Sequence, residues 1–453
     1  MHLGPSHRSV VATRNLMTCR PDFLTPRGFP CVERRCRSLS SHSVNAIEDS
    51  PRQICRRAFS TSPGWSKAIP IRQVPSLKEP RVPTVLSLTQ NRARSPPQPS
   101  ASVVLISPEN QVLMVQRVST TSVFSTAHVF PGGHLSTFHD GCSYHDGTFP
   151  APSDVRVHED SLPYRLCAIR ETFEECGILL AREQGPDGKL LNLSEAERDK
   201  ARKPTYRNET AFPEWLRSVG GFADTENLLP FTRWITPPRK NRRYTTQMYI
   251  YMLPLSARND PSISATSDDG CEIKSVHFDY ARTWLEKQRT GEVLLLPPQC
   301  YLLHLVSQFL DGPPPGSPGP AELMEHYRSQ REKLRKFIDT TPTATEEKAR
   351  RHYTARIPWA EKAICTFRLG VSADNRSILV LDDPGPELED TKRGGDRERV
   401  ILLSSETKEL EVRSREEVLA ERRQLCDSQK NEIISKDSYS MLLPGQENMK
   451  KEA

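Results

Sequence analysis

The run Arg170-Glu171-Thr172-Phe173-Glu174-Glu175-Cys176-Gly177-Ile178 constrains this chain more than any other segment. Leu166, Ile169 and Phe173 recur at three- and four-residue steps, so a helix is expected over 162–182 with Gly177 near its end. On such a helix Glu171, Glu174 and Glu175 stand at i, i+3 and i+4, which places three carboxylates on one face, within reach of a common point. Three anions held this close repel one another, and a helix gains nothing from that alone. A hard divalent cation removes the conflict. Mg²⁺ or Mn²⁺ fits an all-carboxylate site that keeps waters for substrate phosphates. Arg170 is positioned to supply compensating charge, or hydrogen bonds that fix a glutamate rotamer. Three glutamates by themselves would fit a solvated acidic surface equally well, so the flanking sequence has to decide.

That sequence is patterned. After the Pro- and Ser-rich stretch 60–99, apolar β-branched runs at 102–106 and 111–118 flank Ser107-Pro108-Glu109-Asn110 and read as a hairpin. A short strand, His128-Val129-Phe130, leads into Pro131-Gly132-Gly133. Residues 134–160 and 183–226 have the composition of insertions, the second with short helices at 194–203 and 212–219. Strands are expected at 229–236, 244–253 and 272–278, and helices at 280–288 and 299–310. Beyond the break at 313–320, residues 321–353 form a charged helix expected to be solvated on most faces. Segments 378–381, 400–404 and 410–412 are expected to pair in a small appendage within 354–424, before a loose polar tail at 425–453.

The Pro-Gly-Gly turn and the Arg-Glu-x-x-Glu-Glu-x-Gly-Ile run together resemble the loop-helix-loop signature of the Nudix hydrolases, G-x5-E-x7-R-E-U-x-E-E-x-G-U, where U is bulky and apolar. Positions 170–178 match residue by residue, except that Thr172 fills the first apolar slot. Gly133 matches the opening glycine, whose missing side chain lets a backbone carbonyl approach the metal. Between them about 23 residues are inserted, and His139, followed by Asp140, stands where the first glutamate belongs; Glu159 or Asp160 is an alternative to it. A divided signature of this kind resembles the coenzyme A diphosphatase branch, as do Arg233-Trp234-Ile235-Thr236-Pro237 and Leu296-Pro297-Pro298-Gln299. The resemblance covers residues 100–312.

It implies an α/β/α sandwich with a mixed central sheet, and metal-assisted attack of water on a pyrophosphate phosphorus. Glu174 and Glu175 would be the main metal ligands, with Glu171 completing the site and Arg170 supporting it. Glu272 is a candidate general base. The expected substrate is a small nucleoside-diphosphate-linked molecule, with coenzyme A or an acyl-coenzyme A as the first reading. NADH or ADP-ribose is the second, and a nucleotide-binding module without catalysis is the reading from another class. The basic loop Arg239, Lys240, Arg242 and Arg243 would hold the extra phosphate of a coenzyme A-like nucleotide. His134, His139 and His145 read instead as part of a surface loop.

Composition narrows the rest. A net charge of +6 gives no argument for a nucleic-acid partner. No apolar run approaches the ~18 residues of a membrane span. The eleven cysteines form no C-x-x-C and read as free thiols in a reducing compartment. Residues 1–59 hold ten arginines, no lysine and four acids, and Arg57-Ala58-Phe59 resembles a matrix-protease site. That is the composition of a mitochondrial presequence, so mitochondrion is the expected address, ahead of peroxisome. Oligomeric state is not legible.

Overall fold

The computed structural model describes residues 95–117, 126–141, 150–151, 154–185, 188–257 and 273–440. The expected presequence, His145 and Glu272 lie outside them. Strands β1 (Gln98–Ile106) and β2 (Val112–Arg117) form the expected hairpin, its turn closed by Asn110 at φ +61°. Next come β3 (Ala127–Val129), β4 (Gly132–His134) and helix α1 (Leu162–Cys176). The segment 183–226 lies within a folded unit: β5 (Ala181–Glu183), α2 (Glu195–Tyr206), α3 (Phe212–Ser218) and β6 (Gly221–Ala223), with β5 and β6 antiparallel. Strands β7 (Leu229–Ile235), β8 (Tyr244–Met252) and β9 (Ile273–Asp279) follow, then α4 (Ala281–Arg289), β10 (Leu294–Leu295) and α5 (Pro297–Val306). The remainder runs through α6 (Pro320–Asp339), α7 (Glu347–Arg351) and β11 (Ala363–Ile364). Strands β12 (Phe367–Val371), β13 (Ser377–Leu381), β14 (Asp396–Leu403) and β15 (Leu410–Ser414), and helix α8 (Arg415–Ser440), complete it.

Among the described residues the principal sheet has nine strands, in the order β10-β3-β2-β1-β8-β7-β11, with β4 on β1 and β9 on β2. It is mixed: β1–β8, β3–β10 and β7–β11 are parallel, and the other pairs antiparallel. Strand β1 shows why its sequence reads as one apolar run. Ala101, Val103 and Leu105 face the core beneath α1, while Val104 and Ile106 face the core beneath α4, α5 and α6. A strand buried on both sides has no polar alternation to show. Helices therefore cover both faces of a mixed sheet, the α/β/α sandwich expected.

Two expectations need correcting and a third refining. Helix α1 ends at Cys176, short of 182, because Gly177 adopts φ +70° and donates its N–H to the Phe173 carbonyl (2.9 Å). The charged helix α6 is exposed along most of its surface, as expected, but it also carries a buried stripe. Tyr327, Gln330, Arg331, Leu334 and Ile338 are buried, and Arg331 donates to the carbonyls of Ser107 (2.5 Å) and Leu253 (2.7 Å) and to Asn110 Oδ1 (2.7 Å). Its apolar stripe is diluted in sequence because one buried position is an arginine that spends its charge on backbone oxygens. The described part of the tail, residues 425–440, is helical, within α8. The three expected C-terminal strands do pair, and β12 joins them.

Candidate active site

Helix α1 lies against β1 and β4, so its acidic face meets the Pro131-Gly132-Gly133 turn. Two glycines there are required for different reasons. Gly132 has φ +154°, and a Cβ on it would lie 2.3 Å from the Ala101 carbonyl oxygen. A Cβ on Gly133 would lie 2.5 Å from the carboxyl carbon of Glu171. The space at Gly133 is thus taken by a glutamate side chain, while its carbonyl lies 3.6 Å from the Cys167 thiol. Gly132 N–H donates to Glu175 Oε2 at 2.9 Å, which orients that carboxylate from the strand side.

Arg170 is the hub. Only 4% exposed, it donates through Nη1 to Glu171 Oε1 (2.8 Å) and Glu174 Oε2 (3.1 Å). Nε and Nη2 grip the two oxygens of Asp140 at 3.0 Å each, and Nη2 also reaches the His134 carbonyl (2.9 Å). Burial opposes its charge, but Glu171 and Asp140 outweigh burial and hold the guanidinium firmly protonated. Asp140, one residue after the place where the signature has its first glutamate, is thus the acid of that segment that pairs with Arg170. The two alternatives are placed differently: Glu159 is exposed, and Asp160 pairs with Arg165 (2.7 Å) and Tyr249 (2.5 Å). Thr172, the departure from an apolar slot, is buried and satisfied by its bond to the Ala168 carbonyl (2.7 Å).

Spacing put three carboxylates on one point, and the structure does not bring them there. Glu171 is held by Arg170 and Glu175 by Gly132, and among the described residues no group of three or more His, Cys, Asp or Glu is arranged as a ready ion site. The residues nevertheless suit a divalent cation. Glu174 is buried with Oε1 lacking any hydrogen-bond partner. Burial, reinforced by Glu171 and Asp140 and opposed by Arg170, pushes its pKa up to about 7. A desolvated carboxylate oxygen without a donor is costly unless a proton or a cation meets it.

The histidines and the basic loop diverge from expectation. His139 lies in a turn between exposed Phe138 and Gly141, but it is itself buried, 3% exposed, and accepts the Phe212 N–H through Nδ1 (3.1 Å). His134 is exposed and packs edge-on to Tyr244, ring centres 4.9 Å apart. Arg243 is 2% exposed, pairs with Glu387, and donates to the carbonyls of Thr236 (3.0 Å) and Ser95 (3.2 Å). Its side chain is thus committed to partners within the fold. Arg239, Lys240 and Arg242 remain exposed.

Sequence reasoning missed the supports of α1. Arg198 Nη1 donates to the Gly177 carbonyl (2.8 Å), and Arg202 Nη2 to those of Glu174 (2.9 Å) and Glu175 (3.3 Å). The signal available was faint: two arginines four apart on a helix otherwise read as polar surface.

A mixed sheet sandwiched by helices, a glycine turn facing an Arg-Glu-x-x-Glu-Glu helix, and a buried arginine tying the two are the features that the resemblance to Nudix hydrolases implies. Residues 147–306 match the family described as the NUDT19 Nudix domain. The chain is similar to the acyl-coenzyme A diphosphatase NUDT19 of Gallus gallus, 29% identical over 238 residues, covering 44% of this chain and 61% of that protein. It is similar also to the protein of the same name from Xenopus laevis, 28% identical over 156 residues, 32% of this chain and 39% of that one. The matches thus span less than two thirds of these relatives. A Nudix hydrolase of known structure from Alicyclobacillus acidocaldarius aligns with 51% of this chain and 96% of its own, at 19% identity and a TM-score of 0.37. That score is too low to add to the topology described above.

Proposed function

We propose that this protein is a metal-dependent pyrophosphohydrolase that cleaves the diphosphate of coenzyme A or acyl-coenzyme A. The observation that carries the reading is the buried Arg170 network, which holds Glu171, Glu174 and Asp140 together while leaving Glu174 Oε1 without a partner. A surface acidic face has no reason to bury a guanidinium for this purpose. The similarity to proteins named acyl-coenzyme A diphosphatase supports the substrate class.

Glu174 and Glu175 would hold Mg²⁺ or Mn²⁺, with Glu171 completing the set. When bound, the cation supplies Lewis-acid polarisation of the phosphoryl oxygens and a lowered pKa for water. The chain's own residues have separate tasks. Asp140 fixes Arg170, Arg170 fixes the rotamers of Glu171 and Glu174, and the Gly132 N–H aims Glu175. The pantetheine and adenosine ends would be chosen by the loops around this turn. Arg242, exposed two residues before the Tyr244 that touches His134, is the candidate for the 3′-phosphate. The arginine-rich, acid-poor composition of residues 1–59 supports a mitochondrial address. Among the described residues no helix is long and apolar enough to cross a membrane.

The test is a panel of coenzyme A, acetyl-coenzyme A, NADH, ADP-ribose and diadenosine polyphosphate with Mg²⁺ and Mn²⁺. Highest kcat/KM on the coenzyme A compounds supports the reading. Highest kcat/KM on NADH or ADP-ribose moves the protein to the other pyrophosphatase class. Binding without turnover of any of them makes it a nucleotide-binding module.

A further inference from the structure

The unit β5-α2-α3-β6 packs against the last turn of α1. An α-helix ends with carbonyls that no N–H of its own can reach. At the end of α1 the carbonyls of Glu174, Glu175 and the capping Gly177 need partners from outside the helix, and two of the three belong to the residues whose carboxylates matter. Arg202 takes the Glu174 and Glu175 carbonyls, and Arg198 takes that of Gly177. Both arginines are buried, at 8% and 1% exposure, and stand four apart on α2. Their helix is fixed at its start by a reciprocal capping box between Ser194 and Glu197. The same unit closes on α1 from the side: Trp215 stacks on Phe173 at 4.8 Å, and Phe212 lies 5.8 Å from it. It reaches the opposite wall of the site too, since Phe212 N–H donates to His139, the neighbour of Asp140.

We infer that Arg198 and Arg202 are positioning residues for the cation. By fixing the backbone of the last turn of α1, they set where the Glu174 and Glu175 carboxylates stand relative to the Gly132–Gly133 turn. Two guanidiniums at a helix C-terminus also oppose its negative dipole end, which steadies that turn further. The inference rests on the metal-site reading above.

The test titrates Mn²⁺ alone into the full chain, following free ion by electron paramagnetic resonance, beside steady-state turnover of coenzyme A. Arg202→Ala is expected to weaken Mn²⁺ binding about tenfold, equivalent to ~1.4 kcal/mol. The Mn²⁺ concentration for half-maximal turnover should rise equally, while KM for coenzyme A at saturating Mn²⁺ stays within about twofold of the parent. Arg202→Lys should recover part of the loss, because an ammonium still donates to carbonyls although it lacks the fork. If the alanine variant does not fold, Arg198→Lys and Arg202→Lys carry the test, each expected to bind Mn²⁺ a few-fold more weakly than the parent. Folded arginine variants that bind Mn²⁺ like the parent, with Glu175→Gln weakened, would overturn the positioning role and leave the metal site standing. Parent protein that binds no Mn²⁺, or binds it equally well as Glu175→Gln, would overturn the metal site and the positioning role with it.

Discussion

Both carboxylate oxygens of Asp140 meet the Arg170 guanidinium at 3.0 Å, with Asp140 wholly buried and Arg170 4% exposed. Removing the Asp140 charge leaves buried Arg170 with only Glu171 and Glu174 to compensate it, at a cost of up to about 3 kcal/mol. Asp140→Asn should therefore lower unfolding free energy by up to that amount. It should also cut turnover by at least about tenfold, because Arg170 no longer holds Glu171 and Glu174 in register. Urea unfolding and initial rates check both. A stable variant of normal rate would show that Asp140 is incidental to the site.

Adjacent glycines should respond differently. At Gly133 an added methyl meets the far end of the Glu171 side chain, which can swing aside. At Gly132 it meets backbone at 2.3 Å, and φ is +154°. Gly133→Ala should keep stability within about 1 kcal/mol of the parent yet lose about tenfold or more in turnover. Gly132→Ala should lose about 2 kcal/mol or more of stability. Thermal unfolding and rate measurements on the two variants separate a site-specific effect from a backbone one.

Much of this was legible in the sequence, for reasons that can be named. The runs of β1 and β2 and the Arg170–Ile178 signature are local patterns, and local patterns survive insertions. What was not legible depends on contacts far apart in the chain. Asp140 lies 30 residues before Arg170, and only folding of the inserted loop shows which of several acids reaches it. Arg331 reads as solvated helix charge and Arg243 as a phosphate-holding loop residue because buried arginines are uncommon; the partners Ser107, Leu253 and Glu387 lie more than 70 residues away. Arg198 and Arg202 were hidden for the same reason.

Arg242 and Arg243 give a paired prediction. Arg243 is buried on Glu387, so Arg243→Ala should destabilise the fold by about 3 kcal/mol and change no substrate preference among folded molecules. If exposed Arg242 reads the 3′-phosphate, Arg242→Ala should lower kcat/KM for coenzyme A by about tenfold and leave dephospho-coenzyme A nearly unchanged. Equal losses on both compounds, or none on either, would remove Arg242 from substrate recognition.

Stability should fall in acid. His158 is 2% exposed, with Nδ1 2.9 Å from Thr245 Oγ1. Burial, aided by Arg233, Arg393 and Arg243, pushes its pKa down to about 3 from the usual 6.5. Between those values the unfolded chain binds the proton and the folded one does not. The contribution is therefore complete above pH 6.5 and is lost as pH falls toward 3. At pH 5 the loss from this residue is about 2 kcal/mol. His128 and His304, each lowered to about 4 chiefly by burial, act in the same direction. Replacing His158 by Gln should flatten the fall between pH 7 and 5, measured by denaturant midpoints; an unchanged fall would contradict the assignment.

The glutamate face as the seat of pyrophosphate cleavage is tested most directly by following the products formed from coenzyme A. Parent protein and the Glu175→Gln variant, both confirmed as folded, are incubated with Mn²⁺ and coenzyme A, and the products are separated. The parent should release adenosine 3′,5′-bisphosphate and 4′-phosphopantetheine in equal amounts, and Glu175→Gln should be slower by at least about 100-fold. A variant within about threefold of the parent rate, or a parent that forms neither product, would contradict the account.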